Sequence, residues 1–87
     1  MNSLQTIKRI LSADVLVEIP EDRMGLDDQL REGYGMDSLG FVELRVRCEE
    51  VFGVEIEDGA LAGLMTLGDV LALVERLTRA QHSTAGA

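Results

Sequence analysis

Apolar residues recur at helical spacing in three stretches of the chain and lose that spacing between them. Leu4, Ile7, Leu11 and Val15, flanked by Ile10, follow one face, and Asn2-x-x-Gln5 ahead of them resembles a capping box, so the pattern predicts a first helix over 3–17. Phe41, Leu44, Cys48 and Phe52 fall within a narrow arc at 100° per residue. They predict a second helix over 38–52, capped by Asp37 and stopped by Gly53. Thr66-x-x-Asp69 is another capping-box pattern, and Leu67, Val70, Leu71, Val74 and Leu77 predict a last helix ending near Arg79 or Ala80. Across 18–36 the periodicity is interrupted by Pro20, Gly25, Gly33 and Gly35. Ile19, Met24, Leu26, Leu30 and Tyr34 are spaced through this stretch like pins that dock a long, ordered loop onto a core. Residues 58–64 have room for one or two turns, and Gly59 and Gly63 make that helix weak. The expectation is one helical domain over 1–80, with 81–87 as a disordered tail.

Composition narrows the class. With 87 residues, no Trp and only three aromatic side chains (Tyr34, Phe41, Phe52), the core must be thin and aliphatic, which favours packed helices. Eight basic residues against 16 acidic ones give a net charge of -8, which argues against nucleic acid or an anionic membrane as partner and points to basic protein surfaces. The ends are slightly basic, Lys8 and Arg9 against Asp14 and Arg76 and Arg79 against Glu75, so the acidity belongs to the middle. A lone Cys48 offers neither a disulfide nor a metal-ligand spacing and reads as a small apolar core residue. Asp27 and Asp28 lack the regular oxygen spacing of a calcium loop and read as solvated surface. No metal site is expected. Without an apolar leader or a span-length stretch, the expected location is cytoplasmic.

Two features carry candidate chemistry. On the second helix, Leu39, Val42 and Val46 form an apolar arc away from the core face, with Glu43, Glu49 and Glu50 beside or within it. Either this stripe packs under the long loop, or it offers itself to a basic, partly apolar partner surface. At the start of the same helix, Ser38 admits three readings. It can be a helix cap together with Asp37. It can be a hydrolase nucleophile, but Met36 stands where the nucleophile elbow needs a glycine, the only histidine is His82 in the expected tail, and the chain is too small for the sheet on which that elbow is built. It can also be a hydroxyl modified by another enzyme, since free N–H groups and the helix dipole at a helix start favour a phosphodiester. Physics permits the third reading without selecting it.

The string Gly35-Met36-Asp37-Ser38-Leu39-Gly40-Phe41-Val42-Glu43-Leu44 resembles the attachment motif of acyl carrier proteins. The similarity continues through 49–56 and 65–70. The resemblance implies an all-α fold, a small four-helix bundle with a short third helix and a long loop between helices 1 and 2. It implies 4'-phosphopantetheine attached to Ser38, flanked by Asp37 and Leu39, by a phosphopantetheinyl transferase that uses coenzyme A. The carrier, a monomer with no catalytic residue of its own, would present acyl thioesters to a ketosynthase, acyltransferase or ligase. Leu39, Val42, Glu43, Val46, Glu49 and Glu50 match the family's docking helix. Gly40 stands where an acidic residue is usual, and Arg45 and Arg47 add positive charge to a commonly acidic helix. These departures favour a specialised pathway, such as polyketide or mixed peptide assembly in antibiotic biosynthesis, over the housekeeping fatty-acid synthase. Met36 favours the acyl over the peptidyl type, whose members commonly show glycine there. The remaining alternatives are an aminoacyl carrier of a nonribosomal peptide pathway and an acidic helical interaction module without a prosthetic group. The initial Met and the expected tail suggest a free-standing protein, and one Lys among the eight basic residues hints at a GC-rich bacterial source.

Overall fold

The computed structural model describes residues 2–82 and is all-helical, with three α-helices among the described residues. Helix α1 spans Ser3–Ala13, α2 spans Ser38–Phe52 and α3 spans Leu67–His82. A single 3-10 turn, Glu21–Arg23, follows Pro20 in the long connection.

Each α-helix starts where its capping chemistry places it. Asn2 Oδ1 accepts from Gln5 N at 3.0 Å, and Asp37 Oδ1 accepts from Gly40 N at 3.0 Å. At α3 the box is reciprocal: Thr66 Oγ1 accepts from Asp69 N at 3.2 Å while Asp69 Oδ2 accepts from Thr66 N at 3.1 Å. The ends differ more from expectation. Helix α1 stops at Ala13 rather than running to 17, because Leu16 adopts a left-handed φ of 67° and its side chain turns out to solvent. Val15 N and Val17 N then close the end on the carbonyls of Ile10 and Leu11. Gly53, at φ 66°, ends α2 as expected. Helix α3 runs on through Gln81 and His82, which the sequence assigned to the tail. Gln81 exchanges two hydrogen bonds with the backbone of Glu55, and His82 Nε2 lies 2.9 Å from Gly53 O. The rest of the expected tail, 83–87, lies outside the described residues.

The expected third helix of a four-helix bundle is replaced by two linked turns over 58–63. Gly59 sits at φ 81°, which a right-handed helix cannot contain. The backbone bonds there are three-residue closures, Ala60 N to Glu57 O and Leu64 N to Leu61 O.

The core collects Ile7, Ile10 and Leu11 of α1, Phe41, Leu44 and Cys48 of α2, and Leu67, Val70, Leu73 and Val74 of α3. Val17, Met24, Leu30, Tyr34 and Met36 of the connection and Val54, Ile56 and Leu61 beyond α2 complete it. Most of the expected pins therefore hold. Leu26 does not: its side chain is exposed, and its carbonyl instead accepts from Gly68 N at 2.8 Å. With Leu67 N on Asp28 O, Leu30 N on Met65 O and an antiparallel bridge between Gln29 and Thr66, this seam ties the connection to the entrance of α3. Asp28 is likewise more than solvated surface, since its Oδ2 accepts from Gly25 N at 2.7 Å and from the Tyr34 hydroxyl at 2.8 Å.

Burial has a chemical consequence at Cys48. Desolvation, with a smaller contribution from Glu49, pushes its thiol up to about 12, so it stays protonated at neutral pH. Native protein is expected to resist iodoacetamide at pH 7.5 and to become alkylated only when unfolded in urea. A native-state adduct on Cys48 would show that this part of the core opens.

Candidate functional site

The segment leading into α2 displays one hydroxyl. Gly35 turns the chain at φ 68°, a conformation open to glycine, and the next residue, Met36, is buried in the core with its N–H on Leu30 O. With Met36 anchored, Asp37 falls at the N-cap and takes the capping bond. Ser38 is left as the first helical residue, exposed, its hydroxyl making no hydrogen bond among the described residues. The cap reading therefore belongs to Asp37, and Ser38 is free of that duty. Beyond the Asp37 cap, which takes the N–H of Gly40, no acidic side chain lies in the first turn of α2. His82 sits beside Gly53 at the opposite end of α2, ~22 Å away for a helix of this length, so it supplies no base to Ser38.

A cleft of about 170 Å³ opens beside the hydroxyl, lined by Ser38, Phe41, Val42, Arg45, Gly59, Leu61 and Ala62. Its far wall is the pair of turns that replaces the expected helix. Sequence reasoning identified this segment as weak but gave no role to Leu61 or Ala62. Leu61 is almost fully buried and plugs the wall into the core.

The expected docking residues divide. Leu39, Val42 and Val46 are 74%, 50% and 37% exposed, so the second stripe does not pack under the loop. Glu43 and Glu50 are exposed on the same solvent-facing side. Glu49 turns sideways: its Oε2 accepts from Ile56 N at 2.8 Å and its Oε1 lies 3.3 Å from Arg45 Nη1. Arg45 also reaches Asp58 at 3.3 Å. On the other flank, Arg47 Nη1 donates to Glu50 at 2.9 Å, and its Nε forms an ion pair with Asp14 at 3.2 Å without hydrogen-bond geometry. The two arginines that interrupt the acidic helix are thus engaged along its edges. Gly40 faces the segment just after α1, where an added Cβ would meet Val15 Cγ1 at 3.5 Å, and it also lies beside the cap, with Asp37 Oδ1 at 3.6 Å. There is room for a small side chain, but a carboxylate would lie next to the one that caps the helix.

Comparison with known proteins follows the same residues. Residues 5–74 match the phosphopantetheine attachment site family. The chain is 38% identical over 69 residues to an acyl carrier protein of Campylobacter hominis, covering 76% of this chain and 87% of that one. It is 37% identical over 70 residues to a meromycolate extension acyl carrier protein of Mycolicibacterium aurum, covering 80% and 67%. The corresponding protein of Mycobacterium tuberculosis is 42% identical over 60 residues; these cover 69% of this chain and 48%, about half, of that longer relative. The chain belongs to the acyl carrier protein family, whose members hold 4'-phosphopantetheine covalently. It is a carrier of acyl intermediates in fatty-acid or related biosynthesis. Among the described residues, no group of ligating side chains suits a metal ion and no helix is long and apolar enough to cross a membrane.

Proposed function

We propose that Ser38 is the attachment point of 4'-phosphopantetheine, and that the chain presents acyl thioesters to partner enzymes without catalysing their chemistry. The observation that carries this reading is the exposed Ser38 hydroxyl at the start of α2, released from capping by Asp37. The residues fit the group. A phosphodiester on Ser38 would face the positive end of the helix dipole and the first-turn N–H groups that Asp37 does not take, which favour an anion. When bound, the group supplies a thiol that carries acyl cargo as a thioester. The chain's own part is to display Ser38, to offer Leu39, Val42, Glu43, Val46 and Glu50 to a basic and partly apolar partner surface, and to shelter apolar cargo in the adjoining cleft. Each CH₂ stowed there is worth about 0.8 kcal/mol.

The partners are a phosphopantetheinyl transferase and the ketosynthase, acyltransferase or ligase that loads or collects cargo. The protein works as a monomer in the cytoplasm, in a specialised acyl pathway. The engagement of Arg45 and Arg47 along the edges of α2 weakens one argument for that pathway, because the solvent-facing stripe keeps its acidic border. Intact mass measurement after incubation with coenzyme A and a broad-specificity transferase tests the assignment: a gain of one phosphopantetheine per chain is expected, and no gain overturns it.

A further inference from the structure

Arg31 is an exposed residue of the long connection to which sequence reasoning gave no role, yet it joins three elements. Its neighbour Leu30 is fully buried and bonded to Met65 O at 2.9 Å, which fixes where Arg31 leaves the surface. From there its guanidinium carbon lies 4.7 Å from the centroid of the Phe41 ring, within cation–π range. Its Nη2 donates to Ala62 O at 3.0 Å. Phe41 and Ala62 are opposite walls of the cleft beside Ser38. One side chain therefore clasps the helix wall to the turn wall from outside.

The other ties on the turn segment are placed differently. Ile56 N, before the turns, is held by Glu49, and Met65 O, after them, is held by Leu30 N. Between these anchors the one ion pair among the described residues is Arg45 with Asp58, whose side chain is 94% exposed and therefore weakly held. Gly59 and Gly63 give the segment little intrinsic order. The Arg31 hydrogen bond, by contrast, holds the backbone of Ala62, a residue that itself lines the cleft.

We propose that Arg31 is a latch: it sets how readily the turns over 57–64 move away from Phe41, and so which lengths of acyl chain the cleft admits. The second half rests on the carrier reading above; the first does not. A mobile wall with no latch would admit long and short chains with little discrimination, whereas a clasped one favours cargo that fits the closed volume.

Amide exchange in the unmodified protein tests the latch directly. In Arg31→Ala, the amides of Ala60 and Leu64 are expected to exchange about tenfold faster than in wild type, the loss of one hydrogen bond and one cation–π contact, while Leu44 and Cys48 in α2 keep their protection. Arg31→Lys, which keeps a donor and loses the planar stack, falls between. Unchanged exchange at Ala60 and Leu64 overturns the latch, and so does an equal acceleration in α2, which would mean only global destabilisation. Hydroxylamine cleavage of octanoyl and hexadecanoyl thioesters then tests selectivity. Arg31→Ala should protect the longer chain relative to the shorter more than wild type does, and an unchanged ratio overturns that half. Failure of Ser38 to accept phosphopantetheine would sink the carrier reading and leave the exchange result to decide the latch alone.

Discussion

Ser38→Ala is expected to abolish the gain of phosphopantetheine completely while leaving the thermal midpoint within about a degree of wild type. The two halves of that expectation come from the same geometry. The Ser38 hydroxyl makes no hydrogen bond among the described residues, and the capping acceptor for Gly40 N is Asp37. Removing the hydroxyl leaves the helix start intact, and alanine is a good first-turn residue. Asp37→Ala should behave in the opposite way, losing about 1 kcal/mol of stability with its cap while keeping a hydroxyl for the transferase. Intact mass and circular dichroism melting on the two variants separate the roles. A mass gain that persists in Ser38→Ala would place the attachment elsewhere, and a large drop in its midpoint would return Ser38 to the cap.

Acid should reveal a different set of residues. Backbone N–H donors of Thr66 and Met65 hold the Asp69 carboxylate below its ordinary 3.8, and the N–H of Gly25 with the Tyr34 hydroxyl does the same for Asp28. A carboxylate depressed in the folded state binds its proton more readily when unfolded, so its contribution is complete above 3.8 and is lost as the pH falls through the folded value. Urea midpoints are expected to be level from pH 7 to about 5 and to fall below about 4. Asp69→Asn should be less stable at pH 7 and show a shallower acid fall; an unchanged slope would mean that this box is not an acid-sensitive tie.

What the sequence made legible was local. Asp37 and the Thr66/Asp69 pair announce helix starts because the capping bond spans three residues, and Phe41, Leu44 and Cys48 announce a buried face because a helix repeats every 3.6 residues. The 58–64 segment was misjudged for a reason of the same kind. A propensity sum registers Gly59 as a weak helical residue, whereas its left-handed φ of 81° divides the segment into turns. Arg31 left no trace, since its hydrogen-bond partner is 31 residues away and nothing local distinguishes it from any solvated arginine. Helical periodicity placed Glu43, Glu49 and Glu50 near one another but did not show that an edge residue would be recruited by the chain beyond the helix.

That division makes a sharp prediction. Glu43→Lys, on the exposed face, should leave stability within about 0.5 kcal/mol of wild type and slow loading by basic partners, and added salt should slow wild type in the same way. Glu49→Ala should act first on the fold. It deprives the Ile56 N–H of its acceptor and Arg45 of one of its two carboxylates, at a cost of about 1–3 kcal/mol. Ile56 is buried and directly precedes the turns that wall the cleft, so the loss should also reach the cleft wall, raising exchange at Ala60 before it affects α1. Chemical denaturation, combined with transferase kinetics at two salt concentrations, distinguishes the two sites. If Glu49→Ala slows loading with no loss of stability, Glu49 is a contact for partners after all, and its bond to Ile56 is dispensable.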